Sequence, residues 1–288
     1  MILDGGLSNA LTARGHDLSD ALWTASLLRD DPAEIAAVHR EYYRAGAAVA
    51  TTASYQASVP GLQEVGLSRT QAESLVRLSV TLAREVRDEL STDGRRRLVA
   101  ASVGPYGAVL ADGSEYRGRY GVDANRLRDF HLPRLELLLS AGPDLLAVET
   151  IPDVDEAEVL VPLLDDLGVP AWLSYSCDGT TTRAGQPLTE AFAVVADSRA
   201  VIATGVNCCA PSDVLPALEV ARSVTRKPGV AYPNSGQGWD SGTHSWSGDT
   251  SFDVSLAPSW VDAGATYIGG CCQVGPTDIA ALVCVLER

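Results

Sequence analysis

Short apolar runs recur along the chain with longer amphipathic stretches between them. "MILDGG", "AAVATTASY", "RLVAASVG", "DLLAVET", "PAWLSYS", "VIATGVNC", "PGVAYPN" and "TYIGGCC" are each rich in small or β-branched apolar residues and separated by enough chain for a helix. In one intervening segment, "DPAEIAAVHREYYRAG", Asp31 can cap a helix, Pro32 sits in its first turn and Gly46 follows its end. Near-continuous apolar strands alternating with helices predict a parallel sheet covered on both faces. Eight such units in 288 residues fit a closed α/β barrel, the (β/α)8 TIM barrel, better than an open sheet. No linker or low-complexity stretch divides residues 1–288, so one barrel domain is expected.

No uninterrupted apolar stretch approaches the length of a membrane span, and no basic segment precedes an apolar run at the start. A cytoplasmic globular protein is expected. A net charge of −15 argues against nucleic-acid binding, which shows as a clustered basic face, and the only basic run, "DGRRRL", reads as a solvated connection. Neither a nucleic acid nor a membrane is an expected partner. Six cysteines in a chain this long, none in a CxxC pair, do not make the dense framework of a small secreted protein, so reduced thiols are expected.

Polar residues gather at the C-terminal ends of the predicted strands: "DGG", "TASY" ending at Tyr55, "SVGPYG", "ET", "SYSC", "NCC" opening at Asn207, "YPNSG" with Asn234, and "GGCC". Barrels of this type build active sites on that face. Cys208 and Cys271 are 271 − 208 = 63 positions apart, far from a local zinc-knuckle spacing, yet the sixth and eighth strands of one barrel bring such positions together. Consecutive side chains on a strand point to opposite faces, so Cys271 and Cys272 share a target only where the strand has ended; Gly269 and Gly270 offer the turn. The adjacent pair admits three readings: core filling, a strained vicinal disulfide, or a three-thiolate zinc site with Cys208 whose fourth position is open, as in catalytic zinc centres. By the same alternation Cys209 faces away from Cys208 and is left out. Cys177 and Cys284, alone in apolar runs, read as packing.

Taken together, "ILDGGLSNAL", "LSDALWTASLL", "TTASYQAS", "SVGPYGAVLADGSEYRGRYG", "ETIPDVDEAEVL", "GVNC", "AYPNSGQGWDS" and "IGGCCQVGPTDIAAL" resemble the homocysteine S-methyltransferase family over essentially the whole chain, and most its S-methylmethionine-using branch. The resemblance implies zinc held by Cys208, Cys271 and Cys272, and recognition of the amino-acid part of homocysteine by Asp4 and Glu149. It implies transfer of a methyl group from a sulfonium donor to homocysteine to give methionine. Variants of the same reaction would use S-adenosylmethionine as donor or a selenol such as selenocysteine as acceptor. Cobalamin is not expected, since no additional domain to bind it is evident. Asn9, where threonine is common, and Gln237, where glutamate is common, depart from the family's usual pattern and bear on donor preference. The rival from another class is a non-enzymatic vicinal-thiol protein that binds soft metals or senses oxidants.

The chemistry of the residues runs the same way. A free thiol with a pKa of about 8.5 is only about 3% thiolate at neutral pH, and coordination to zinc removes the proton outright. Three thiolates around Zn²⁺, joined by a homocysteine thiolate, make an electron-rich sulfur suited to a cationic methyl donor, which an acidic protein also attracts. In-line transfer between two sulfurs needs no general base at the moment of reaction, so no catalytic residue beyond the zinc site is expected. His16, His39, His131 and His244 read as bystanders. An acid at a strand end can simply cap the next helix, but for Glu149 the nearby Asp153 and Asp155 are better placed to do so. The amides of Gly5, Gly6 and Leu7 offer a nest for the substrate carboxylate. Tyr55, Asn207 and Asn234 are further substrate-side candidates, Asn234 also as a fourth zinc ligand when homocysteine is absent. Two long glycine-rich loops, "VLADGSEYRGRYG" and "NSGQGWDSGTHSWSGDTS", read as donor-side lids. Tyr106, just before the first, and Trp239 and Trp246, in the second, offer ring faces to a sulfonium, an attraction worth about 0.5 to 2 kcal/mol.

Overall fold

In the computed structural model, residues 1–18, 24–110, 112–240 and 245–287 are described, the side chains of residues 25, 238–240, 245 and 246 excepted. Seven parallel strands follow the expected order: Val49–Thr51, Leu98–Val103, Leu145–Ile151, Ala171–Tyr175, Val201–Asn207, Gly229–Tyr232 and Ala265–Ile268. The expected first strand is reduced to a bridge, with Ile2 opposite Ile268 and Leu3 opposite Val49. That bridge closes the sheet, because Leu3 N–H donates to Ile268 O at 2.8 Å and Asp4 N–H to Val49 O at 3.1 Å. The result is a TIM barrel without an open edge, and its eight staves are counted here in chain order from the bridge.

Alternation along the staves sorts side chains into two compartments. Leu3, Val49, Ala100, Ala147, Trp172, Ala203, Val230 and Tyr232 fill the barrel interior. Their sequence neighbours Val99, Ala101, Leu146, Val148 and Leu173 pack outwards with the helices. A full indole packs inside among small side chains, Ala100, Ala147 and Ala203, of the third, fourth and sixth staves. Trp172 Nε1 donates to the Tyr232 hydroxyl at 2.9 Å, which ties the packed interior to the C-terminal mouth.

The helix Pro32–Ala45 starts and stops as expected, with Gly46 left-handed at φ 104°, but the Asp31 side chain makes no capping bond. Asp153 does cap Val154–Leu167, accepting from Asp155 N–H at 3.2 Å, and so leaves Glu149 free of that task. Cys284 departs from the packing expectation. The last helix, Pro276–Leu286, turns Ile279 and Leu282 inward, and its phase leaves Cys284 exposed. Among the described residues no helix is long and apolar enough to cross a membrane.

Candidate functional site

Cys208 follows the sixth stave, and Cys271 and Cys272 follow the eighth. Their sulfurs lie within 4.8 Å of one another, Cys272 being 3.9 Å from Cys208 and 4.0 Å from Cys271. The eighth stave has ended at Ile268, as two neighbouring cysteines with one target require. The loop after the seventh stave then fixes the pair: Cys271 N–H donates to Pro233 O at 2.8 Å and Cys272 N–H to Asn234 Oδ1 at 3.1 Å. The turn itself is made differently from the expectation. Neither Gly269 nor Gly270 has a positive φ; the left-handed residue is Gln273 at φ 63°, whose N–H donates to Asn9 Oδ1 at 2.6 Å. The glycines are there for close approach, since a Cβ on Gly269 would meet Leu3 Cβ at 2.6 Å and one on Gly270 would meet Val274 Cγ1 at 2.1 Å.

Cys208 is also left-handed, at φ 51°. Cys209 lies outside the three-sulfur cluster, fully buried, where the Cys177 thiol beside it, together with burial, pushes its own thiol up. Left to themselves, the three clustered thiols divide charge unequally: their mutual hydrogen bonds draw Cys208 well below the usual thiol range, and the bond to Cys208 pushes Cys271 and Cys272 above it. One negative charge is tolerated there; three need a cation.

Asp4 and Glu149 line the same cavity, of about 400 Å³, as the three cysteines. Asp4 accepts from Thr51 N–H at 2.7 Å and from Thr51 Oγ1 at 2.9 Å, while Glu149 accepts from the hydroxyls of Ser102 and Tyr232. Burial outweighs these bonds and raises both carboxyls, Asp4 to about 8 and Glu149 to about 7. Unfolded, the two would lose their protons near 3.8 and 4.5, so between about 4 and 8 the native state binds more protons than the unfolded chain. Stability therefore falls as pH rises through that window. Asp4→Asn is expected to raise the thermal midpoint of the ligand-free protein by a few degrees at pH 8 and by less at pH 5. Equal shifts in calorimetry at the two pH values would show that the charge is not the cause.

The other expected residues divide. Tyr55 lines the cavity, its hydroxyl bonded to Thr150. Gly5 and Leu7 are at the wall, but the Gly6 N–H is taken by Val274 O at 3.0 Å, so the anticipated nest has two amides rather than three. Asn207 and Asn234 are not among the wall residues. Asn234 bonds the Cys272 N–H and the Cys208 thiol, and the Asn207 amide is engaged by the fourth and fifth staves. Of the first long loop it is Tyr116 that reaches the site, its hydroxyl 3.8 Å from Cys208 Sγ. Tyr106 instead packs on Tyr120 and Phe130, with ring centroids 5.5 and 5.0 Å away. The rings of Trp239 and Trp246, and His244 altogether, lie outside the described residues.

His39 and His131 are buried in helices, His131 against Glu156 Oε1 at 2.8 Å. His16, expected to be a bystander, lines the cavity together with Thr12, Asp17, Leu18 and Thr24. This wall was missed. The available signal was surplus chain: among the described residues, three helices, Leu7–Ala13, Thr24–Asp30 and Pro32–Ala45, connect the first two staves where a barrel needs one.

Residues 1–286 match the family described as homocysteine S-methyltransferase. The chain belongs to that family. Homocysteine S-methyltransferase of Escherichia coli (strain K12) is 44% identical over 98% of this chain and 94% of its own length. Homocysteine S-methyltransferase 1 of Zea mays is 42% identical over 99% of this chain and 94% of its own. The solved metallated form of the homocysteine methyltransferase MmuM from Escherichia coli covers 99% of this chain and 96% of its own, with 43% identity and a TM-score of 0.89. In this homocysteine S-methyltransferase family member, three of the five described non-glycine residues with positive φ, namely Thr150, Cys208 and Gln273, sit at the mouth. Strain of this kind persists where the surroundings hold it, and it marks where side chains are being aimed.

Proposed function

We propose that this protein transfers a methyl group from a sulfonium donor, S-methylmethionine, to homocysteine, giving methionine, with zinc as its metal and Cys208, Cys271 and Cys272 as the ligands. The observation that supports this reading most is one cavity lined by both the three-sulfur cluster and the two buried carboxyls. Those features match in kind the thiol and the ammonium of the acceptor. The sulfurs suit zinc: in a tetrahedral site with Zn–S bonds of about 2.3 Å they would be about 3.8 Å apart, against 3.9 and 4.0 Å here. Soft thiolates also disfavour magnesium and calcium, and three protein ligands leave one coordination position for a substrate. When bound, zinc would supply thiolate character to the homocysteine sulfur at neutral pH.

The chain's own residues do the rest. Glu149 and Asp4 ionise against the ammonium and orient the amino acid. The amides of Gly5 and Leu7 serve its carboxylate, and Tyr55 and Tyr116, both at the wall with Cys208, offer ring faces to the sulfonium. In the transfer the homocysteine sulfur forms a bond to the methyl carbon as the methyl–sulfonium bond breaks. The electron pair of that bond stays on the donor sulfur, which becomes a neutral thioether; from S-methylmethionine the leaving group is a second methionine. The thiol proton departs beforehand, so no general base acts during transfer. Three reduced thiols favour a cytoplasmic setting.

The test is a donor panel with isotopically labelled homocysteine, so that methionine made from the acceptor is counted apart from the leaving group. S-methylmethionine is expected to outpace S-adenosylmethionine, betaine and a methylfolate. Betaine turning over fastest would overturn the sulfonium assignment, and no labelled methionine from any donor would overturn the activity.

A further inference from the structure

Glu149 lies where the sheet is out of step. Val148 pairs with Leu173 and Ile151 with Tyr175, so Glu149 and Thr150 together stand against Ser174 alone. A bulge of this kind leaves a residue outside the ladder and re-aims the neighbouring side chain. Thr150 carries the distortion at φ 61°, a left-handed conformation that a β-branched residue adopts only when held there.

What holds it is Asn207, fully buried at the end of the sixth stave. Its Oδ1 accepts from Thr150 N–H at 2.7 Å and from Ser174 Oγ at 2.7 Å, and its Nδ2 donates to Thr150 Oγ1 at 2.7 Å. The side-chain amide thus takes the N–H that the bulge removes from the ladder, reaching across the fifth stave to do so. The Thr150 side chain is bonded in turn to the Tyr55 hydroxyl. The residue after Asn207 is Cys208. One short segment therefore sets both the thiol and, through Thr150, the carboxylate that lines the same cavity.

We propose that Asn207 is a positioning residue of the methyl transfer: it pins the bulge at Thr150 and so aims Glu149 at the homocysteine ammonium, at a fixed separation from the thiolate-binding position. This rests on the reading of Glu149 as the ammonium partner. Asn207 does not touch substrate, its amide being engaged by Thr150 and Ser174.

The experiment compares homocysteine with 3-mercaptopropionate, a thiol acceptor that lacks the amino group, in the zinc-loaded protein with S-methylmethionine as donor. Asn207→Ala is expected to raise KM for homocysteine roughly tenfold with kcat little changed, and to leave 3-mercaptopropionate kinetics and zinc content as they were. Thr150→Gly added to Asn207→Ala should recover most of that loss, because glycine takes a positive φ without strain. If Asn207→Ala does not fold, Ser174→Ala carries the test; it removes the Ser174 hydroxyl from Asn207 Oδ1, and from the Tyr232 hydroxyl as well, and should raise KM for homocysteine alone by about two- to threefold. Glu149→Ala run alongside separates the two readings. Should Glu149→Ala fail to discriminate between the thiols, the ammonium reading is wrong. Should Glu149→Ala discriminate while the Asn207 or Ser174 variant slows both thiols alike, releases zinc, changes nothing, or gains nothing from glycine at Thr150, the positioning role is wrong.

Discussion

Cys208→Ser, Cys271→Ser and Cys272→Ser are each expected to lose the bound metal and, with it, methionine formation, by on the order of a thousandfold or more. A serine hydroxyl does not ionise near neutral pH, so each variant keeps only two anionic ligands where three sulfurs now stand within 4.8 Å. Several kcal/mol of nucleophile activation depart with the metal, at 1.36 kcal/mol for each factor of about ten in rate. The remaining cysteines are the internal control. Cys284 is exposed on the last helix, and Cys177 and Cys209 are buried next to each other away from the cluster. Cys177→Ser, Cys209→Ser and Cys284→Ser should therefore retain about one zinc per chain by elemental analysis. Metal loss in Cys209→Ser as complete as in Cys208→Ser would show that the left-handed bend at Cys208 does not separate the two side chains in function.

The staves were legible because buried parallel strands are apolar on both faces, and runs such as "DLLAVET" and "VIATGVNC" show little else. The mouth was legible for a related reason: in a barrel, whatever follows a strand converges with whatever follows the others, so three cysteines 63 and 64 positions apart (271 − 208, 272 − 208) could be gathered before any contact was seen. What escaped was set by contacts remote in sequence or by local phase. The bridge at Ile2–Leu3 is too short to carry a period and exists because its two neighbours hold it. Gln273 rather than a glycine takes the left-handed turn because Asn9, 264 residues away, accepts its N–H. Tyr116 displaces Tyr106 at the site because Tyr106 opens the short helix Tyr106–Leu110 and packs on Phe130. Asn207, a substrate-side candidate from its place at a strand end, has its amide engaged by Thr150 and Ser174, and nothing in the one-dimensional pattern announces a bulge two staves away.

Glu149→Ala is expected to weaken homocysteine binding by roughly ten- to a hundred-and-fifty-fold, the equivalent of about 1.5 to 3 kcal/mol for a charge-assisted hydrogen bond in a partly dry site. Metal content should not change, since Glu149 is not part of the three-sulfur cluster. The acceptor 3-mercaptopropionate should be used poorly by the parent protein and lose little more in the variant, because the deleted contact was never made. The pH dependence sharpens the distinction. Burial holds the Glu149 carboxyl at about 7 and Asp4 at about 8, and an ammonium is drawn only to their ionised forms. Homocysteine KM in the parent protein should therefore fall as pH rises through 7 towards 8, with apparent values that belong to the pair rather than to either acid. In Glu149→Ala the part of this dependence due to Glu149 disappears, and what remains should follow Asp4 alone. For 3-mercaptopropionate neither protein should show it. If the variant slows both thiols equally, or sheds zinc, then Glu149 supports the barrel mouth through its bonds to Ser102 and Tyr232 and does not meet the substrate.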